Sequence, residues 1–69
     1  MIDKNLEINA GDTFEPKPKN SLYRGLTLEI VKIDNSDKPI SERRFHVLVS
    51  NGETDRFWRD SLLVDFEKV

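Results

Sequence analysis

Leu22-Tyr23-Arg24-Gly25-Leu26-Thr27-Leu28-Glu29-Ile30-Val31-Lys32-Ile33 is the longest apolar-rich run in the chain. Its apolar side chains recur at every second residue, at Leu26, Leu28 and Ile30. That period puts them on one face of a strand, with Thr27 and Glu29 on the other. After Ile30 the phase slips, because Val31 and Ile33 are apolar and Lys32 is not. A β-bulge or sharp bend at Ile30-Val31 would turn both sets inward. A strand that bends and goes on burying side chains is what a small, tightly curled barrel requires. The run therefore predicts an all-β fold.

Downstream, Arg43-Arg44-Phe45-His46-Val47-Leu48-Val49-Ser50 reads as a second strand, with Phe45, Val47 and Val49 on one face. Asn51-Gly52 follows, and both residues tolerate the positive φ that a tight hairpin turn needs. The return strand is Glu53-Thr54-Asp55-Arg56-Phe57-Trp58-Arg59. Two registers are open. A two-residue turn pairs Phe45 with Trp58 and sends Phe57 to the other face. A three-residue loop, Ser50-Asn51-Gly52, pairs Phe45 with Phe57, Arg44 with Trp58 and His46 with Arg56. One residue of slip exchanges the two faces. The longer loop, which leaves Trp58 outside beside Arg44, is the reading preferred here.

The tail, Asp60 to Val69, carries two patterns at once. Leu62, Leu63, Phe66 and Val69 lie at helical spacing behind Asp60 or Ser61 as an N-cap. Val64 and Phe66 equally alternate as in a strand. A helical turn at residues 60–63 followed by a short closing strand at 64–69 is expected, with a C-terminal helix as the alternative.

Upstream of the central run, Leu6 and Ile8 alternate with Glu7 and Asn9 as a short strand signal, and Ala10-Gly11-Asp12 reads as a turn into Thr13-Phe14. In Glu15-Pro16-Lys17-Pro18-Lys19-Asn20-Ser21 the prolines fix φ and favour an extended, exposed loop. Asp34-Asn35-Ser36-Asp37-Lys38-Pro39 superficially resembles the start of a calcium loop. Pro39 stands where such a loop needs glycine, however, and Phe45 where it needs the bidentate glutamate, so a solvated turn is the reading.

Sixty-nine residues make a single domain, 1–69, with residues 1–5 expected to be disordered. The chain has no cysteine, which excludes disulfides and thiolate-bound zinc. No apolar run approaches the length of a membrane span and the N-terminus has no apolar leader core, so a cytoplasmic protein is expected. The net charge of −2 is unevenly spread. Residues 1–16 carry four acids and one base, residues 17–46 seven bases and four acids, and residues 47–69 three bases and five acids. A mildly basic middle between acidic ends is not the footprint of a dedicated nucleic-acid binder.

Catalytic chemistry finds little support. His46 is the single histidine and has no nucleophile at a suggestive spacing. No acid lies in an apolar setting that would raise its pKa, and the three glycines are too scattered to cradle a phosphate. No catalytic residue, metal ligand or cofactor is assigned.

The order of parts resembles a known class. Gly11-Asp12-Thr13-Phe14 opens the first strand, a Pro/Lys loop follows, and a long bent strand starts near Tyr23-Arg24. An Asn51-Gly52 hairpin then leads to Phe57-Trp58-Arg59 and a Leu62-Leu63…Phe66 tail. This layout resembles the small SH3-like barrels, above all the stand-alone one-domain versions of bacteria and their phages and plasmids. The resemblance implies four or five antiparallel strands and a binding module for peptides, proteins or nucleic acids. Proline-peptide-binding members have an acidic groove where this chain carries Lys17 and Lys19. The pore-lining Val-Gln-Ile-Tyr run of a similar plasmid-borne dihydrofolate reductase has no counterpart at Arg56-Phe57-Trp58-Arg59. No site is transferred from either.

Binding remains. Tyr23, Arg24, Arg44, Arg56, Trp58 and Arg59 are the residue types enriched at interface hot spots and on nucleic-acid stacking surfaces. Together on the outer face they would form a partner site; the competing reading makes Tyr23 and Trp58 core. A protein partner is expected first and an accessory or regulatory role with it. A DNA or RNA regulator using the basic middle is second, and a subunit of an oligomeric enzyme with an inter-chain site third.

Overall fold

Alternating burial organises the strands in the computed structural model, which describes residues 7–69. The expected disorder of residues 1–5, and Leu6 of the first strand signal, lie outside the described residues. The strands are β1 (Thr13–Pro16), β2 (Leu28–Asp34), β3 (Arg44–Val49), β4 (Thr54–Trp58) and β5 (Phe66–Lys68), with one short helix, α1 (Arg59–Asp65), between the last two. They form one antiparallel sheet in the order β4-β3-β2-β1-β5, curled as a half-barrel. Its concave side holds the core: Phe14, Leu28, Ile30, Phe45, Val47 and Val49 from the strands, with Ile8, Leu62, Leu63 and Phe66 closing over them. Ile8 reaches this core from irregular chain, not from a strand.

The central run is strand only from Leu28 onward. Ser21–Tyr23 forms a 3-10 turn, and Gly25, at φ 79°, supplies the left-handed residue that swings the chain into the sheet. The phase slip at Ile30-Val31 is a bulge. Pairing passes from Ile30↔Val47 to Lys32↔His46, leaving Val31 as the extra residue. Ile33 turns inward opposite Phe45, as expected. Val31 does not: it is 47% exposed, because the inserted residue of a bulge shares the outward side with its neighbour.

The hairpin takes the three-residue loop. Arg44 pairs with Trp58, Phe45 with Phe57 and His46 with Arg56. The Val49 N–H donates to the Glu53 carbonyl at 2.8 Å, the Gly52 N–H donates to the Val49 carbonyl at 2.9 Å, and Gly52 sits at φ 93°. An added Cβ at Gly52 would meet no atom within 4 Å. Gly52→Val therefore tests backbone conformation alone, and is expected to lower stability by about 1–2 kcal/mol in urea unfolding. A variant as stable as the parent would mean that the left-handed residue is not needed there.

At the tail, α1 runs longer than the expected turn at residues 60–63, and the closing strand starts at Phe66 rather than at residue 64. Leu62, Leu63 and Phe66 are all buried, so the helical spacing is what the core uses, and Val64 faces solvent. The Pro/Lys loop covers the carbonyl end of this helix. Lys17 Nζ donates to the Leu63 carbonyl at 2.8 Å, Asn20 Nδ2 to the Asp65 carbonyl at 3.2 Å, and the Lys17 N–H to the same Asp65 carbonyl at 2.9 Å. These donors satisfy carbonyls that a helix end leaves open. β5 then pairs with β1, setting Glu15 directly opposite Glu67. Among the described residues, no helix is long and apolar enough to cross a membrane.

Candidate binding face

The bulge in β2 and the loop at Ser50-Asn51-Gly52 together set a grid on the convex side of the sheet. Because Val31 is inserted, Lys32 stands opposite His46, which stands opposite Arg56. One step along, Asp34 stands opposite Arg44, which stands opposite Trp58. The other flank is Glu29, Leu48 and Thr54. Rows two residues apart on a strand lie about 6.6 Å from each other. Two adjoining rows across β2, β3 and β4 thus hold Lys32, His46 and Arg56 beside Asp34, Arg44 and Trp58.

Trp58 is the aromatic ring this face offers to solvent. It is 44% exposed, and the Arg44 guanidinium carbon lies 4.6 Å from its ring centroid. That distance is within cation–π range. Arg44 Nε is buried and without a hydrogen-bond partner among the described residues. The carboxylate opposite Arg44 is committed elsewhere: Asp34 Oδ2 contacts His46 Nε2 at 2.5 Å, and its Oδ1 lies 3.5 Å from Lys32 Nζ. The hydrogen bond from His46 holds the Asp34 carboxyl below its ordinary range, with the charges of His46 and Lys32 acting in the same direction. Arg44 and Arg56 form no ion pair among the described residues.

Two shallow hollows border this grid. One, of about 610 Å³, is lined by Val31, Lys32, His46, Thr54, Asp55 and Arg56 among others. The second, of about 460 Å³, has Trp58 as one wall and Asn35, Lys38, Ser41 and Glu42 as the rest.

Of the six residues expected on one surface, Arg44, Arg56 and Trp58 come together. Tyr23 does not join them. Its ring packs edge-on against Phe57 and Phe66, with centroids 6.2 and 5.1 Å away, at the border of the core. Arg24 is exposed in the turn that follows Tyr23. Arg59 is 4% exposed: strand alternation stops at Trp58, and Arg59, the first residue of α1, is carried inward. Lys32 belongs to the face although it was not among the expected residues, and His46, weighed above only for catalysis, belongs to it as well. The bulge was the signal for Lys32, since one inserted residue moves it from the inward phase of β2 to the outward one.

Asp55 protects the open edge of β4. Ladder bonding at Val49 and Glu53 alternates so that the Arg56 N–H points away from β3. Asp55 Oδ1 accepts that N–H at 2.8 Å, and Oδ2 accepts the Tyr23 hydroxyl at 2.6 Å. The hydrogen bond to Asp55, with burial and the charges of Asp55 and Glu53, pushes the Tyr23 phenol from 10.0 up to about 12. A raised pKa of this kind contributes stability that is whole below pH 10 and is lost as pH climbs toward 12. Tyr23 is the single tyrosine, so ultraviolet absorbance reads its titration directly. The midpoint is expected at about pH 12 in the parent and nearer 10 in Asp55→Asn. Equal midpoints would deny the contact.

Among the described residues, no group of three or more histidine, aspartate or glutamate side chains is arranged to hold a metal ion. No family model matches the chain, and neither a curated protein nor a solved structure matches it significantly.

Proposed function

We propose that this chain is a non-enzymatic SH3-like binding module, an accessory or regulatory protein that engages a protein partner through the convex face around Trp58. The SH3-like assignment is supported by the strand order, the tight β3–β4 hairpin, the short helical link before β5 and the pairing of β5 with β1. One observation carries the function: a half-exposed tryptophan beneath a guanidinium, on a face where Arg44 and Arg56 have no carboxylate partner among the described residues. Tryptophan and arginine dominate binding energy at protein interfaces. Nucleic acid is the less favoured partner, since the chain is net acidic and Tyr23, a ring that would extend a stacking surface, is packed against Phe57 and Phe66. The test is retention of partner proteins on the immobilised parent and on Trp58→Ala, with circular dichroism showing that both are folded. Equal retention would remove this face from the function.

A further inference from the structure

Resting on that reading of the Trp58 face, we infer that the segment it recognises is an extended peptide bearing two carboxylates at alternate positions, next to an apolar side chain. The charge balance of the grid points to this. Lys32, His46, Arg44 and Arg56 stand together; of the acids beside them, Asp34 is spent on His46 and Lys32, and Asp55 on the Tyr23 hydroxyl and the Arg56 N–H. Among the described residues, Arg44 and Arg56 form no ion pair. Guanidinium is the cation best shaped to receive a carboxylate through paired N–H donors.

Spacing sets the pattern. Arg56 faces His46, which is two residues from Arg44 on β3, so Arg44 and Arg56 are diagonal neighbours. Diagonal positions across an antiparallel pair are about 7–8 Å apart. Side chains at positions i and i+2 of an extended peptide are about 6.6 Å apart and point the same way. An acid–x–acid peptide therefore reaches both guanidiniums without folding. An apolar residue two positions further on meets the free side of the Trp58 ring, beside the second hollow. The bonded edge of β4 opposes simple strand addition, since Asp55 already takes the Arg56 N–H. Contact across the face, by side chains, is the mode inferred here.

The probe is a fluorescently labelled peptide of pattern Leu-Ser-Glu-Ser-Glu-Ser-Leu, whose leucines and glutamates share one side when extended. Its control has glutamine at both glutamate positions. Binding is read by polarisation to the intact chain. The glutamate peptide is expected to bind about a hundredfold more tightly than the glutamine peptide, which loses both contacts, and R44Q and R56Q each to remove about tenfold. K19Q, away from the face, is expected to leave binding unchanged. Failure of the glutamate peptide to bind, equal binding of the two peptides, or full binding by R44Q and R56Q would overturn the inference. Tighter binding of single-stranded oligothymidine, with a steep loss as salt is added, would overturn it in favour of nucleic acid. The underlying reading is separable. If Trp58→Ala loses its retained protein partner while R44Q and R56Q keep it, the face stands and its preference for acids falls.

Discussion

Ile30→Ala is expected to leave the chain largely unfolded at 25 °C. Ile30 is fully buried and sits opposite Val47 at the last regular pair before the bulge. Its backbone is also the junction between the sheet and the Gly11-Asp12 turn: the Ile30 N–H donates to the Asp12 carbonyl at 2.9 Å, and the Ile30 carbonyl accepts from the Gly11 N–H at 2.7 Å. Removing three carbons at such a site costs about 2–5 kcal/mol, in lost transfer energy and in the cavity left behind. A core in a chain of this length supplies about 3–5 kcal/mol in all. The two magnitudes are equal within their spread, so the variant has little or no folded state to populate. Leu28→Ala, one inward position earlier and just as buried, is expected to behave the same way. Leu48→Ala is the control. Leu48 lies on the outer face at 41% exposure, and its loss is expected to change stability by no more than about 0.5 kcal/mol. Urea unfolding followed by far-ultraviolet circular dichroism reads all three. An Ile30→Ala variant with the parent's midpoint would mean that the core is not centred on β2.

Most of the sheet was legible because strands announce themselves by a period of two. Leu28 and Ile30, and then Phe45, Val47 and Val49, needed no tertiary information to be placed on one face. The bulge was legible for a related reason: two polar–apolar phases on one strand can both be honoured only by an inserted residue. Which residue was inserted was not legible. Val31 and Ile33 are chemically alike in a pattern, and only pairing with β3 selects Ile33 for the core, opposite Phe45. The length of α1 was hidden for another reason. Leu62, Leu63, Val64 and Phe66 fit helix and strand equally, and what accompanies the helix is tertiary: burial of Leu62 and Leu63 in the core, and donors to its carbonyl end from Lys17 and Asn20, more than forty residues earlier.

The face itself was half legible. Arg44, Trp58 and Arg56 followed from the hairpin register, a local property of the Ser50-Asn51-Gly52 loop. Tyr23 and Arg59 were misplaced because both lie just beyond strand ends, where alternation gives no guidance. Tyr23 belongs to a 3-10 turn and packs on Phe57 and Phe66, and Arg59 belongs to the helix. Residue type alone could not separate an aromatic used in packing from one left for a partner. The separation comes from which side of β4 each ring meets: Phe57 and Tyr23 on the inside, Trp58 on the outside.

That division makes Trp58→Ala the decisive substitution for the function. In the parent, the indole presents one side to Arg44 and keeps 44% of its surface exposed. Its removal forfeits the cation–π contact, about 0.5–1 kcal/mol at an exposed site. It opens no core cavity, because the side chain lies on the convex side of the sheet. Had the two-residue turn put Trp58 inside, the same change would cost about 3–5 kcal/mol and unfold a chain this small. The expected result is therefore a folded variant with a modest drop in thermal midpoint. Affinity for the protein partner falls much further, by about 2 kcal/mol or more, which is about thirtyfold. Phe57→Ala gives the opposite pattern. Phe57 packs against Tyr23 and Phe66 at the core, so its loss lowers stability first and affects binding only through the unfolded fraction. Calorimetric melting alongside titration of the purified partner separates the two. A Trp58→Ala variant that binds like the parent, or one that loses stability as Phe57→Ala does, would take the tryptophan out of the interface.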